Sequence, residues 1–228
     1  KMGVSMAEYR SLVFSRFRSA KGVLKSQPVE DSWDNWIQTL TTHKTVSQKD
    51  TTNFLFGKID QGKTRNDKNV QFFDAMALDV DCVSDSQIEK IFETLSPFEF
   101  VLYTSFNHKA PHLKPNEDNK VRIVLPLAAR LPSSEYKKVQ VQFDTLIGGE
   151  NDKGVRKISQ PYYIYSSPED RKDSSFAIHN GGKWIELSDL PEFSKRETQT
   201  AEEFPSTLEI SKSDLRKEAQ RLGRSGSD

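Results

Sequence analysis

The spacing of apolar residues near the start of the chain predicts two amphipathic helices. In residues 5–20, large apolar side chains recur at the three- and four-residue intervals that align them on one helical face: Tyr9, Leu12, Val13 and Phe17. In residues 31–40, an aspartate or serine cap precedes a second set at helical spacing: Trp33, Trp36, Ile37 and Leu40. We therefore expect an N-terminal helical cover that packs on the rest of the domain.

Beyond residue 50, strand-like and helix-like segments alternate. Runs of β-branched and aromatic residues predict strands at 51–60, 72–81, 98–106, 120–127, 159–167, 174–180 and 183–187. Helical spacing predicts helices at 85–95 and 133–148, and Pro126 is expected to end the fourth of these strands. Because helices interleave with strands while several links between strands are short, the order favours an α+β fold. We expect a mainly antiparallel, RRM-like sheet with flanking helices.

Length and composition favour a single sizeable domain. The 228 residues are 35% hydrophobic and 29% charged, with enough aromatic residues for a core. We expect one domain over residues 1–190 and a polar tail over 191–228, which forms a surface helix or a linker to a further domain. No apolar run approaches the roughly 18 residues of a membrane-spanning helix, which argues against an integral membrane protein. The lone Cys82 excludes an internal disulfide and predicts the cytoplasm.

The charge balance narrows the classes of function. The chain has 33 basic and 33 acidic residues, so its net charge is zero with histidine neutral. A protein that only coats nucleic acid would be strongly basic. Either nucleic acid is not the partner, or basic patches are offset by acidic residues that serve a different function. The second alternative suits an enzyme that holds metal ions on carboxylates and phosphates on lysine and arginine.

The leading candidate for chemistry is the pair Asp79 and Asp81 at the end of a predicted strand. Residues i and i+2 of a strand point to the same face, so both carboxylates project from one side. Two close carboxylates repel each other, and a divalent cation such as Mg²⁺ or Mn²⁺ resolves that conflict. The alternative is a strand that ends in two solvated acids.

Polar side chains elsewhere could complete such a site. Residues 103–108 bring hydroxyl groups and the imidazole of His108 to the end of a strand, and the next strand opens with Lys120 and Arg122. Guanidinium and imidazole groups match phosphate oxygens, although His108 could equally face water in a polar loop. Asp152 lies in a basic segment and could be a third carboxylate.

Taken in order, these segments resemble motifs of the archaeo-eukaryotic primase superfamily. The similarity is greatest to the primase-polymerase domains of plasmid, phage and mobile-island replication proteins. It rests on ALDVD, then LYTSFNHKAP followed by KVRIVLPL, then ENDKGVRKISQPYYIYS, and spans about residues 50–170. The chain has no GxGxxG phosphate loop. The resemblance implies a DNA primase or DNA polymerase that catalyses template-directed nucleotidyl transfer.

The resemblance also implies the metal-binding acids. Asp79 and Asp81 match the acid-x-acid motif of the family, and Asp152 is the choice for the later single carboxylate. Asp144 follows an apolar residue and is the rival for that third position. Two Mg²⁺ or Mn²⁺ ions are the implied cofactors.

The nucleotide contacts follow in the same way. His108 matches the nucleotide-contacting histidine of the family, although it follows Phe106-Asn107 where the family has a small residue and one spacer. Ser105, Lys120 and Arg122 are the further predicted contacts. The implied partners are a single-stranded DNA template, nucleoside triphosphates, and a helicase or DNA-binding domain in the same or another chain.

Three other interpretations of the sequence compete with this one. A rolling-circle nicking enzyme needs a His-x-His pair as metal ligands, and the four histidines contain none: His43, His108, His112 and His179. A non-catalytic origin- or single-strand-binding module would keep the fold without the activity. A generic α+β domain would have its acids far apart.

Overall fold

The structure is a computed structural model that describes residues 10–18, 25–49, 52–149 and 157–192. These residues form eleven strands and three α-helices, in chain order: β1 (Leu12–Phe17), β2 (Gln27–Asp31), α1 (Trp33–Thr41), β3 (Lys44–Thr45), β4 (Asn53–Leu55), β5 (Gly57–Ile59), β6 (Val70–Val83), α2 (Asp85–Leu95), β7 (Phe100–Thr104), β8 (Asn119–Pro132), α3 (Tyr136–Leu146), β9 (Tyr162–Tyr163), β10 (Ser166–Ser167) and β11 (Ala177–Asn180). None of the helices among them is long and apolar enough to cross a lipid bilayer. The tail predicted from residue 191 lies almost entirely outside the described residues.

Five strands form a central sheet in the order β11-β7-β8-β6-β5, and every neighbouring pair is antiparallel. Strand β8 lies between β6 and β7, so α2 connects two strands that are separated by a third. A second antiparallel sheet has the order β2-β1-β4-β9, and β10 pairs with β3 in parallel. The predicted α+β class with a mainly antiparallel sheet is therefore confirmed.

The central sheet has a hydrophobic core on each face. On one face, α2 and α3 pack against alternate residues of β6 that include Leu78 and Val80. On the other face, β1, β4 and α1 pack against Ala75 and Ala77 with a group of aromatic rings: Phe14, Trp33, Trp36, Phe54 and Phe56. Because successive residues of a strand point to opposite faces, β6 is buried on both sides over this stretch.

The first predicted helix is wrong where the structure describes it, because residues 12–17 form strand β1. This strand pairs with β2 on one side and with β4 on the other. Leu12 and Phe14 belong to one hydrophobic core and Phe17 to the other, so apolar side chains were required on both faces of a strand. The resulting spacing of apolar residues matches the spacing expected for an amphipathic helix. The second predicted helix is confirmed as α1, whose cap is Ser32.

The prediction that Pro126 ends its strand is also wrong. Strand β8 continues to Pro132, and Pro126 lies opposite Ala75 beside a break in the register of β6 and β8. A proline has no N–H to donate to a neighbouring strand, and such irregularities are where sheets accommodate it. The strand predicted at 183–187 is reduced to two isolated bridges, from Lys183 and Ile185.

Candidate active site

Two carboxylates project from the end of β6. Asp79 and Asp81 continue the face of Ala75 and Ala77, because alternate residues of a strand share a face. Exposure increases along this face, from 3% at Ala77 to 14% and 29% at the side chains of Asp79 and Asp81. The strand reaches beyond its cover here, and it ends in a bulge at Cys82, whose φ is 61°. The two acids therefore share one accessible face, as their spacing predicts.

Each carboxylate has a basic partner directly across on β8. Asp79 lies opposite Arg122, and Asp81 lies opposite Lys120. Nε of Arg122 donates to Oδ1 of Asp79 at 3.2 Å, and Nζ of Lys120 donates to Oδ2 of Asp81 at 2.5 Å. Burial alone would lower the pKa of both bases, but the neighbouring carboxylates outweigh it and raise both pKa values. The structure thus brings these four predicted residues into one charged cluster.

Arg122 also connects this cluster to β9. Its Nη1 donates to the carbonyl oxygen of Tyr163 at 2.9 Å, and the hydroxyl of Tyr103 donates to the same oxygen at 3.0 Å. Tyr103 lies opposite Arg122 on β7, and burial raises the pKa of this tyrosine to about 12, which keeps its hydroxyl protonated. The Arg122 side chain is only 5% exposed, so its ion pair belongs to the core as well as to the site.

The fold adds Lys49, which sequence analysis did not select. Its Nζ lies 5.5 Å from the centroid of the Tyr163 ring. The residue as a whole is exposed, but loss of water around its ammonium and then the charge of Arg122 lower the pKa of Lys49, while Asp79 and Asp81 act in the opposite direction. No local pattern marks this lysine, because it lies in a polar segment between two short strands. Only the path of the chain brings it to the cluster.

His108 lies in the turn after β7 and is 3% exposed. Its Nδ1 accepts a hydrogen bond from the backbone N–H of Lys120 at 3.3 Å. Burial and then the positive charge of Lys109 lower its pKa to about 4, against the opposing charges of Asp118 and Asp85. The ring is therefore neutral and supports the first residues of β8. Direct contact of His108 with a nucleotide stays a prediction.

Ser105 joins the same support. Its backbone N–H donates to the carbonyl oxygen of Lys120 at 2.8 Å, and its own carbonyl oxygen accepts from the backbone N–H of His108 at 2.9 Å. The residue is buried, so its hydroxyl group lies within the turn rather than at the surface. Ser105 and His108 fix the strand that carries Lys120 and Arg122, and a nucleotide contact of Ser105 stays a prediction.

The third acid is not placed beside Asp79 and Asp81 by the described residues. Asp152 falls outside them, so its role stays a prediction. Asp144 lies on α3, and this helix packs on the face of β6 opposite to the two carboxylates, through Phe143. The rival assignment of the third position to Asp144 therefore loses its geometric basis.

The donor set of the cluster fits a divalent cation in part. Mg²⁺ and Mn²⁺ take carboxylate oxygens, and Mg²⁺ is usually held by one or two carboxylates with water and substrate phosphates completing its shell. Asp79 and Asp81 supply two such groups on one face, each of them engaged by a base. Within the described parts of the chain, no three side chains of His, Cys, Asp or Glu are grouped to hold an ion.

The buried neutral ring of His108 predicts a loss of stability in acid. The pKa is about 4 in the folded protein and about 6.5 in the unfolded chain, so the unfolded chain binds an extra proton between these values. The free energy of unfolding contributed by His108 is fully present above pH 6.5 and falls by at most about 3 kcal/mol as the pH drops to 4. Urea unfolding between pH 4 and 7 measures this slope.

The variant His108→Asn isolates the effect, because asparagine can still accept from the N–H of Lys120 and does not titrate. We expect a flatter dependence on pH than in the unmutated protein. The variant His112→Asn, which removes an exposed imidazole from the same loop, is the matched control. An equal slope in His108→Asn and the unmutated protein would contradict the prediction.

Two comparisons with known proteins match most of the chain. The sequence profile described as the VapE N-terminal domain matches residues 13–186. Among solved structures, the AEP domain of the cyanophage S-2L primase-polymerase (PrimPol) matches with 9% sequence identity and a TM-score of 0.44, over 78% of this chain and 86% of that chain. A search of curated proteins found no match. The profile match includes both carboxylates and both bases of the charged cluster.

Proposed function

The chain belongs to the VapE N-terminal domain family, and from its charged cluster we propose that it is a nucleotidyltransferase that starts or extends DNA strands during replication of a mobile element. One observation carries the proposal. Asp79 and Asp81 emerge at the accessible end of a buried strand, each paired in register with a base on β8. The motif similarity to primase-polymerase domains supports the same assignment.

The two carboxylates are the proposed metal ligands, with Asp152 as the predicted third. A bound Mg²⁺ or Mn²⁺ ion supplies the charge that lowers the pKa of an attacking 3′-hydroxyl and stabilises the leaving pyrophosphate. Asp79 and Asp81 would hold that ion on one face of β6, whose opposite face is buried. Because β6 is fixed on both sides by its neighbours, the two carboxylates need little reordering when a substrate binds.

Arg122 and Lys120 are the proposed phosphate contacts of the incoming nucleoside triphosphate. The guanidinium of Arg122 offers a planar fork that matches phosphate oxygens, and the ammonium of Lys120 offers three donors. Both bases pair with carboxylates in the structure. With a divalent cation held by Asp79 and Asp81, the two bases would be available to bind phosphates.

A second candidate function is a single-strand or origin DNA-binding module without catalysis. It is favoured by the neutralisation of Asp79 and Asp81, since each carboxylate already has a basic partner within hydrogen-bond distance. In that case Lys120 and Arg122 would serve the fold and bind backbone phosphates, and no metal would be required.

Nucleotide incorporation by the full chain on a primed single-stranded template separates the two functions. We expect incorporation with Mn²⁺ or Mg²⁺ and none with EDTA, whereas template binding persists in both conditions. Binding without incorporation under any of these metals would contradict the proposed enzyme and support the DNA-binding module. The same assay with ribonucleotides and deoxyribonucleotides defines the preferred substrate.

A further inference from the structure

With Lys49 beside the charged cluster, the described residues place three positive charges near its two carboxylates. Asp79 pairs with Arg122 and Asp81 with Lys120, and among the described carboxylates none forms an ion pair with Lys49. After loss of water, the charges of all four cluster residues act on the ammonium of Lys49, so it lies within their electrostatic reach. An anion is therefore the ligand that this corner of the site favours.

Tyr163 gives this additional charge a defined position. The ammonium of Lys49 and the guanidinium of Arg122 lie 5.5 and 6.0 Å from the centroid of the same ring, within the range of cation–π attraction. The carbonyl oxygen of Tyr163 accepts from both Arg122 and Tyr103. Strand β9 also pairs with β4, where Asn53 lies opposite Tyr163. Two cations thus lie near the ring of a residue whose backbone is bonded to strands of both sheets.

We propose that Lys49 is a phosphate-binding residue of this site, which acts with Arg122 on the triphosphate of the incoming nucleotide, and that Tyr163 is its positioning residue. Two cations near one ring suit a ligand that concentrates several negative charges, because each can take a different phosphate group. A triphosphate does so within one molecule, whereas a DNA strand spreads its charges along its length. The identity of the ligand rests on the proposed function.

Binding of inorganic tripolyphosphate to the full chain, in excess Mg²⁺ and without primer or template, tests Lys49 without catalysis. We expect Lys49→Ala to weaken binding about tenfold, the size of one charge-assisted contact. Lys49→Arg keeps the charge and is expected to bind within about threefold of the unmutated protein. Lys90→Ala removes an exposed lysine from α2, on the other face of the central sheet, and is the matched control. Equal affinity of Lys49→Ala and the unmutated protein overturns the proposal.

The positioning role of Tyr163 has its own readout. Tyr163→Phe keeps the ring and is expected to retain the affinity for tripolyphosphate. Tyr163→Leu is expected to weaken tripolyphosphate binding, but by less than Lys49→Ala does. The double variant Tyr163→Leu/Lys49→Ala is expected to bind tripolyphosphate no more weakly than Lys49→Ala alone. Fully additive losses in the double variant overturn the positioning role.

Titrations with dATP and with a single-stranded oligonucleotide distinguish the two sources of phosphate. We expect Lys49→Ala to weaken dATP binding about tenfold and oligonucleotide binding less than threefold, on the same scale of one lost contact. A loss confined to the oligonucleotide overturns the assignment to the triphosphate. Lys49-dependent binding of tripolyphosphate and dATP in a protein that incorporates no nucleotide supports the phosphate site while the proposed catalysis fails.

Discussion

Replacement of Asp81 by asparagine is expected to lower metal-dependent incorporation at least about 100-fold while the protein stays folded. Asparagine keeps the size of the side chain but removes the negative charge that a divalent cation requires. Changes to residues that merely support a metal ligand already cost about 10- to 100-fold, so loss of a ligand should cost more. Asp81 is partly exposed, and loss of its ion pair with Lys120 is expected to cost about 1 kcal/mol or less.

Initial rates of incorporation on a primed template, measured over a range of Mn²⁺ concentrations, test this expectation. The matched control is Asp189→Asn, because Asp189 also pairs with a lysine, Lys183, but lies in a turn outside the charged cluster. The control should retain the unmutated rate. Incorporation by Asp81→Asn within about threefold of the unmutated protein would show that this carboxylate is not a metal ligand.

The elements that were predicted correctly either bury a single face or contain a clear local sequence pattern. Helix α2 spans Asp85–Leu95 as its spacing predicts, with Ile91 and Leu95 on its buried side. Strand β6 was recognisable from its apolar run. Strand β1 was not, because it contributes to two cores and its apolar residues follow no simple alternation. When both faces of a strand are buried, periodicity alone does not distinguish it from a helix, and a continuous apolar run such as that of β6 must decide.

The same limit applies to the site. The spacing of Asp79 and Asp81 fixes their common face, and the basic start of β8 places Lys120 and Arg122 across from them once β8 pairs with β6. The position of Lys49 depends on how a polar loop returns to the sheet, which no local pattern encodes. The burial of the His108 ring likewise depends on how its turn folds back on β8.

Replacement of Asp79 alone by leucine is expected to destabilise the protein more than replacement of Asp79 and Arg122 together. The buried guanidinium of Arg122 loses its ion-pair partner in the single variant, which typically costs about 3–5 kcal/mol of the free energy of unfolding. A leucine with Arg122→Met fills a similar volume without charge, and such exchanges are often nearly neutral. Tyr103 still donates to the carbonyl oxygen of Tyr163, so β9 keeps an anchor.

Urea unfolding of Asp79→Leu, Arg122→Met and the double variant completes the cycle, and we expect the double variant to recover at least about 2 kcal/mol relative to the sum of the single losses. Additive losses would mean that the two side chains do not stabilise each other. Nucleotide incorporation by the same three variants separates the effect on stability from the effect on activity. The double variant should be stable yet inactive, because it lacks a metal ligand and a phosphate-binding guanidinium, and a stable and active double variant would contradict the proposed function.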